Sequence, residues 1–378
     1  MLCYNPNSMR FVRASDTGIG LRLIILACGL TILAFPQKKD ETQTLQLPRE
    51  LPAAVEGDTR HLTFLVTPLS SKGLLSKQVR DALSALTRQA KGDPILKIRA
   101  FVAGSGDVRR VRDLVSEVFT DRKQALPALS LVRAGGLPEG AQVVLEGITE
   151  GKKEVNPGGL VFIAAQAESA EDPTGPAAPL AAKSLAALGA AVKAAGSEPA
   201  DVTRISCFLS SLDDLAATRQ LVEREYRGAA ADFVQTQRAP VRSLAACEAV
   251  AKLRRKIAGP LEQLNPPGLP AEAGASQIAL VAAPRVVLTG TQVSFGYEEK
   301  DARLAFQRAL KALEQAGVST RNVAFVHYYP LAPGIASQLR RVRGEFFDGA
   351  RPPASSLLLF EGLPSMDAGF ALDVVAVK

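Results

Sequence analysis

Hydrophobic and polar positions repeat in one order three times along the chain. In the middle stretch, GGLVFIAAQ (Gly158 to Gln166) is a short β-rich run. The segment Ala178 to Gly196 then places Leu180, Leu185, Leu188 and Val192 on one helical stripe, with Gly196 as its stop. VTRISCFLSSL (Val202 to Leu212) predicts a strand, and Asp213 to Tyr226 a second helix that opens on an acidic cap and buries Leu215, Leu221 and Val222. The same succession runs through HLTFLVTPL, Leu74 to Ala90, ILKIRAFVAG and Asp107 to Phe119, and again through RVVLTGTQVSF, Asp301 to Gly317, NVAFVHYYPL and Ala336 to Phe347. Each copy is expected to close on a Pro-X-X-Ser core: Pro127-Ala128-Leu129-Ser130, Pro240-Val241-Arg242-Ser243 and Pro353-Ala354-Ser355-Ser356. A period of about 100 residues implies tandem units. Each unit is read as α+β, a mixed sheet backed by two helices. The predicted domains are 59–151, 155–258 and 274–378, with linkers at 37–58 and 259–273.

Composition supports packed cores, with 47% hydrophobic and 22% charged residues. The formal charge of +7 permits an anionic partner, but scattered basic residues and the absence of Trp give no nucleic-acid platform. Two histidines, and four cysteines without CxxC spacing, speak against a metal site. Cys207 and Cys247 fall in one copy, where they either pair, if the protein is exported, or remain two buried thiols.

Arg10, Arg13 and Arg22 precede an apolar run, Leu23 to Phe35, that falls short of the roughly 20 residues needed to span a bilayer. Residues 1–36 are therefore read as a signal peptide or a membrane anchor. The expected location is exported, periplasmic or secreted, with membrane attachment only through this segment.

The helix and strand residues LAALGAAVKAAGSEPADVTRISCFLSSLDDLAATRQLVEREY of the middle copy, VVLTGTQ of the third and PALSLVRAGGLPEGAQVVLEGIT of the first resemble the Rid/YjgF family of reactive intermediate deaminases, formerly endoribonuclease L-PSP. The resemblance spans His61 to Lys378. It implies a chorismate-mutase-like fold, and three copies in one chain closing as a monomeric pseudotrimer with clefts between neighbours. It further implies hydrolytic deamination of small carboxylate-bearing enamines or imines, of the 2-iminobutanoate/2-iminopropanoate deaminase type, without cofactor or metal.

On this resemblance Arg242 would hold the substrate carboxylate, since a guanidinium forks onto a carboxylate with two charge-assisted hydrogen bonds. Leu129 and Ser355 cannot do so, which leaves one working cleft of three. The family's water-positioning acid is replaced by Val144, Ala246 and Ala371, whereas Glu146, Glu248 and Asp373 match its second acid. Arg242 and Glu248 are thus the candidate catalytic pair, with Ser243, Gln166 and Gly290 as further substrate-binding residues. The competing reading is a non-catalytic binder of a small carboxylate, with Arg242 as ligand holder, strand-end arginine or internal ion-pair partner. His327-Tyr328-Tyr329 is read as a packed or rim cluster, and the Arg109, Arg110 and Arg112 run as a solvated helix face.

Overall fold

A computed structural model describes residues 48–270 and 272–378. The expected signal peptide or anchor, and the linker up to residue 47, lie outside the described residues. No described helix is long and apolar enough to cross a membrane.

The first unit comprises β2 (Leu62–Val66), α1 (Leu75–Ala90), β3 (Ile95–Val102), α2 (Val108–Asp121), β4 (Ala128–Arg133) and β5 (Val143–Glu150). The second has β6 (Leu160–Ala170), α3 (Ala177–Ala194), β7 (Val202–Leu209), α4 (Leu215–Glu225), β8 (Ala230–Gln235) and β9 (Ser243–Lys252). The third runs from β12 (Arg285–Thr289) and β13 (Gln292–Phe295) through α5 (Glu299–Gln315), β14 (Val323–Pro330), α6 (Pro333–Val342) and β15 (Ala354–Leu357) to β16 (Ala368–Val377). The sheets read β2-β5-β3-β4, β6-β9-β7-β8 and β12-β16-β14-β15, one order three times. In each sheet the central strand is parallel to the last and antiparallel to its other neighbour. A parallel pair cannot be closed by a tight turn, so α2, α4 and α6 serve as the crossovers.

Helix α1 turns Val79, Leu83 and Leu86 onto its sheet. Helices α3 and α5 end alike: Gly196 and Gly317 take left-handed φ of 76° and 75°. Their N–H groups bond back to Lys193 and Glu314, and the next residues reach Val192 and Leu313, satisfying carbonyls that a helix end leaves open.

Segments expected as linkers also contribute strands. Residues Ala54–Asp58 form β1, which pairs with β12 and so extends the third sheet. Residues Leu261–Leu264 form β10, which pairs with β11 (Ile278–Val281), and β11 lies on β6 of the second sheet. The first residues assigned to the third unit thus complete the sheet of the second.

One face of each sheet carries its helices, and the other faces a shared centre. Along β3 the inward positions are Lys97, Arg99 and Phe101; on β7 they are Arg204, Ser206 and Phe208, and on β14 Phe325, His327 and Tyr329. The centre is layered accordingly. Phe64, Phe162, Phe325 and Val375 form an apolar floor, and Phe101, Phe208, Tyr329 and Phe360 an aromatic roof. Between them lies a sheet of buried charge. On the helix side of the second sheet, Cys207 faces Cys247 across β7 and β9 and forms a disulfide, which resolves the two alternatives left by sequence.

Candidate functional site

Strand register fixes which residues correspond. Arg99 pairs with Glu146 on one side and Ser130 on the other; Ser206 pairs with Glu248 and Asp232; His327 pairs with Asp373 and Ser356. Ser130, Asp232 and Ser356 are therefore equivalent, and the residues preceding them are Leu129, Ala231 and Ser355. This corrects the alignment made on Pro-X-X-Ser. Pro240-Val241-Arg242-Ser243 opens β9, not the parallel strand, and Ala231 occupies the position where the resemblance expected arginine. The turn between β8 and β9 is present, at 236–242. No unit carries an arginine at that rung.

The same register places Val144, Ala246 and Ala371 one rung above the buried acids, opposite Phe101, Phe208 and Tyr329. None of these side chains can position a water.

Each unit meets the next at a cleft. Between the first and third units, Leu129 and Leu131 face Gly290, Thr291 and Gln292 across a cavity of about 500 Å³. The Thr291 N–H donates to the Leu129 carbonyl at 3.1 Å. Between the first and second units, Ala231, Asp232 and Phe233 face Val66 to Leu69 across about 400 Å³. Between the second and third, Leu357, Leu358 and Leu359 face Ala167 and Ser169 across about 470 Å³. There the Ala165 N–H donates to Ser356 Oγ at 2.9 Å.

Arg242 lines this last cleft from the β8–β9 turn. Its side chain is exposed and makes no ion pair or hydrogen bond among the described residues. Around it stand Val241, Leu244 and the three leucines, with Thr236, Gln237, Ser169 and Ser337 as polar groups; Arg340, also in the wall, is held by Glu272 at 2.8 Å. No aspartate, glutamate or histidine lines this cleft among the described residues. It can hold an anion with an apolar substituent, and it offers no general base.

The other candidates are dispersed. Ser243 is buried where β9 begins, its N–H donating to the Asp172 carbonyl. Gln166 is buried at a bulge of β6, its Nε2 donating to the Ala164 carbonyl at 2.8 Å. Gly290 belongs to the cleft between the first and third units. Glu248, expected as Arg242's catalytic partner, lies instead in the central charged layer.

That layer was not anticipated. Arg99 forks onto Glu146 at 2.8 and 2.6 Å and reaches Glu248 at 2.8 Å. Arg204, from the second unit, bridges Glu146 and Glu248, each at 3.1 Å. Lys97 bonds Asp373 at 2.7 Å, and Tyr329 and Ser130 donate to the other Asp373 oxygen at 2.8 and 2.6 Å. His327 stands between Asp373 and Glu248, one ring nitrogen 3.0 Å from each. The reading of His327 as packed therefore matches its surroundings, though its partners are distant in sequence.

Burial opposes ionisation here, yet the neighbouring cations hold the carboxyls of Glu248 and Asp373 well below, and that of Glu146 below, their ordinary values. Burial lowers Lys97 despite Asp373 beside it. Asp232 behaves oppositely: burial, then repulsion from Glu146, pushes it well above the usual carboxylate range. The sequence signal for the layer was the i, i+2 pairing of polar residues inside apolar strands, Lys97/Arg99 and Arg204/Ser206.

No protein-family model and no curated protein matches the chain. Solved structures resemble parts of it. Rv2704 of Mycobacterium tuberculosis, a member of the YjgF/YER057c/UK114 family, is 19% identical over 25% of this chain and 79% of its own, with a TM-score of 0.23. YyfB of Yersinia pestis, of the Rid protein family, is 17% identical over 32% of this chain and 100% of its own, with a TM-score of 0.30. E. coli TdcF with bound serine is 19% identical over 25% of this chain and 80% of its own, with a TM-score of 0.23.

Proposed function

We propose that the protein is a Rid-like pseudotrimer that binds a small carboxylate-bearing molecule without turning it over, in the cleft between its second and third units. The observation that supports this reading is the composition of that cleft: one unpartnered guanidinium, an apolar wall of leucines, and no acid or imidazole among the described residues. Hydrolysis of an imine needs a group to orient and deprotonate water, a contribution commonly about 100-fold or more. The clefts between the other units do contain carboxylates, but neither has Arg242.

Arg242 would form two parallel hydrogen bonds with the ligand carboxylate. Leu244 and Leu357 to Leu359 would receive its apolar end. Export through residues 1–36 belongs to the same proposal, since a binder of free carboxylates is useful outside the compartment that generates enamines.

Titration calorimetry of the full chain with 2-oxobutanoate tests the binding, and ammonia release from freshly generated 2-iminopropanoate tests the chemistry. Binding that weakens tenfold or more in Arg242→Ala, with imine decaying at its spontaneous rate, is the expected result. Accelerated imine loss would restore the deaminase reading, and binding indifferent to Arg242→Ala would remove the site.

A further inference from the structure

The centre of the molecule contains a feature that the clefts do not explain. Beneath the charged layer, where all three sheets meet, is a cavity of about 20 Å³, bordered by Lys97, Arg99 and Arg204 and by the apolar side chains of Phe64, Phe162 and Val375. Space of about 10–15 Å³ already admits one water-sized particle. Arg99 and Arg204 are 3% and 7% exposed. Each retains a nitrogen without a hydrogen-bond partner among the described residues, Nη1 of Arg99 and Nε of Arg204. Most buried polar side-chain atoms in proteins have a hydrogen-bond partner.

We propose that this cavity is a binding site for one small inorganic anion, a halide such as chloride. Three cations converge on it from two units. Glu146 and His327 also border it, but their polar atoms are taken. Glu146 Oε1 accepts from Arg99 and Ser206, and Oε2 from Arg99 and Arg204. Each nitrogen of His327 faces a carboxylate oxygen at 3.0 Å.

Hydrogen-bond capacity then separates a halide from a water. The lining offers free N–H donors and apolar carbon, while the Glu146 oxygens already accept from Arg99, Arg204 and Ser206. A water could accept from the free N–H groups, but its own two hydrogens would be left facing phenyl rings and cations. A halide accepts from both and has no hydrogens to place, while phosphate, sulfate and carboxylates exceed the space.

The direct test is diffraction at the bromine absorption edge from crystals of the full chain equilibrated in sodium bromide. An anomalous peak between Arg99 and Arg204 is expected. In solution, the melting temperature should rise saturably in chloride or bromide relative to gluconate at equal ionic strength, and Lys97→Met should abolish that rise. Density in the cavity without anomalous signal would overturn the proposal. Should Lys97→Met fail to fold, the diffraction experiment on the unaltered chain still decides.

Discussion

Arg204 of the second unit and Glu146 of the first are joined across the centre, Nη1 to Oε2 at 3.1 Å, with side chains 8% and 3% exposed. Glu146 also takes both contacts of the Arg99 fork, so one carboxylate holds two guanidinium groups from different units. Replacing it by Gln leaves those charges without their main counterion. Breaking a buried pair from one side costs about 3–5 kcal/mol. Glu146→Gln should lower the urea midpoint accordingly, and a double-mutant cycle with Arg204→Met should show strong coupling.

Asp232 predicts the opposite. Its equivalents are Ser130 and Ser356, and its carboxyl keeps a proton in the folded chain to a higher pH than in the unfolded one. Above the unfolded value near about 3.9 the folded state binds more protons, so this group removes stability as pH rises. Asp232→Asn should therefore stabilise the protein at pH 7, by on the order of 1 kcal/mol. The gain should disappear when unfolding is measured below about pH 3.9.

Glu146, Glu248 and Asp373 carry the reverse sign, because their folded carboxyls lie below the ordinary values. Their contribution is complete above the unfolded range of about 4 and is lost as pH falls through the folded values. Denaturant titrations from pH 7 to pH 2 should show stability falling steeply below about pH 4. Asp373→Asn should flatten that fall.

The Cys207–Cys247 disulfide closes a 40-residue separation. Cross-linking a loop of this size stabilises by about 3–4 kcal/mol through the unfolded chain. Cys207→Ala/Cys247→Ala should lower the melting temperature, and denatured protein refolded with reductant should match that variant.

Gly290 brings the backbone of the third unit close to that of the first. A Cβ there would lie 2.7 Å from the Leu129 carbonyl oxygen and 3.1 Å from its nitrogen. Gly290→Ala must push the 290–291 segment away from β4, and should cost about 1–3 kcal/mol, as overpacking does. Calorimetry would read this as a lower melting temperature.

The α+β class and the order of elements were legible in the sequence because apolar periodicity marks elements that each cover one side of a sheet. The parallel strand β8 was not. AADFVQ is short and rich in alanine, its one carboxylate is buried against Arg99's neighbours, and the conspicuous Pro240 drew the repeat onto the wrong strand. Counting would have exposed the slip, since α4 needs a strand after it and before β9 to serve as a crossover. The inter-unit strands were missed because β1 and β10 sit in polar, proline-containing stretches whose partners are supplied by other units. The charged centre was partly visible: Lys97 and Arg99 alternate with Ile98 and Ala100, a pattern that ordinarily marks a solvated face. Only the meeting of three such faces makes it an interior.

The pairing of β1 with β12, Ala54 opposite Thr289, also dictates a sequence of events during synthesis. As the chain leaves the ribosome, β1 emerges before any unit, yet its partner follows only after the whole second unit has been made. Until then the nascent protein carries an unpaired strand at its front, the kind of edge that recruits neighbouring chains into aggregates. Premature termination anywhere before residue 285 would leave that strand permanently unmatched.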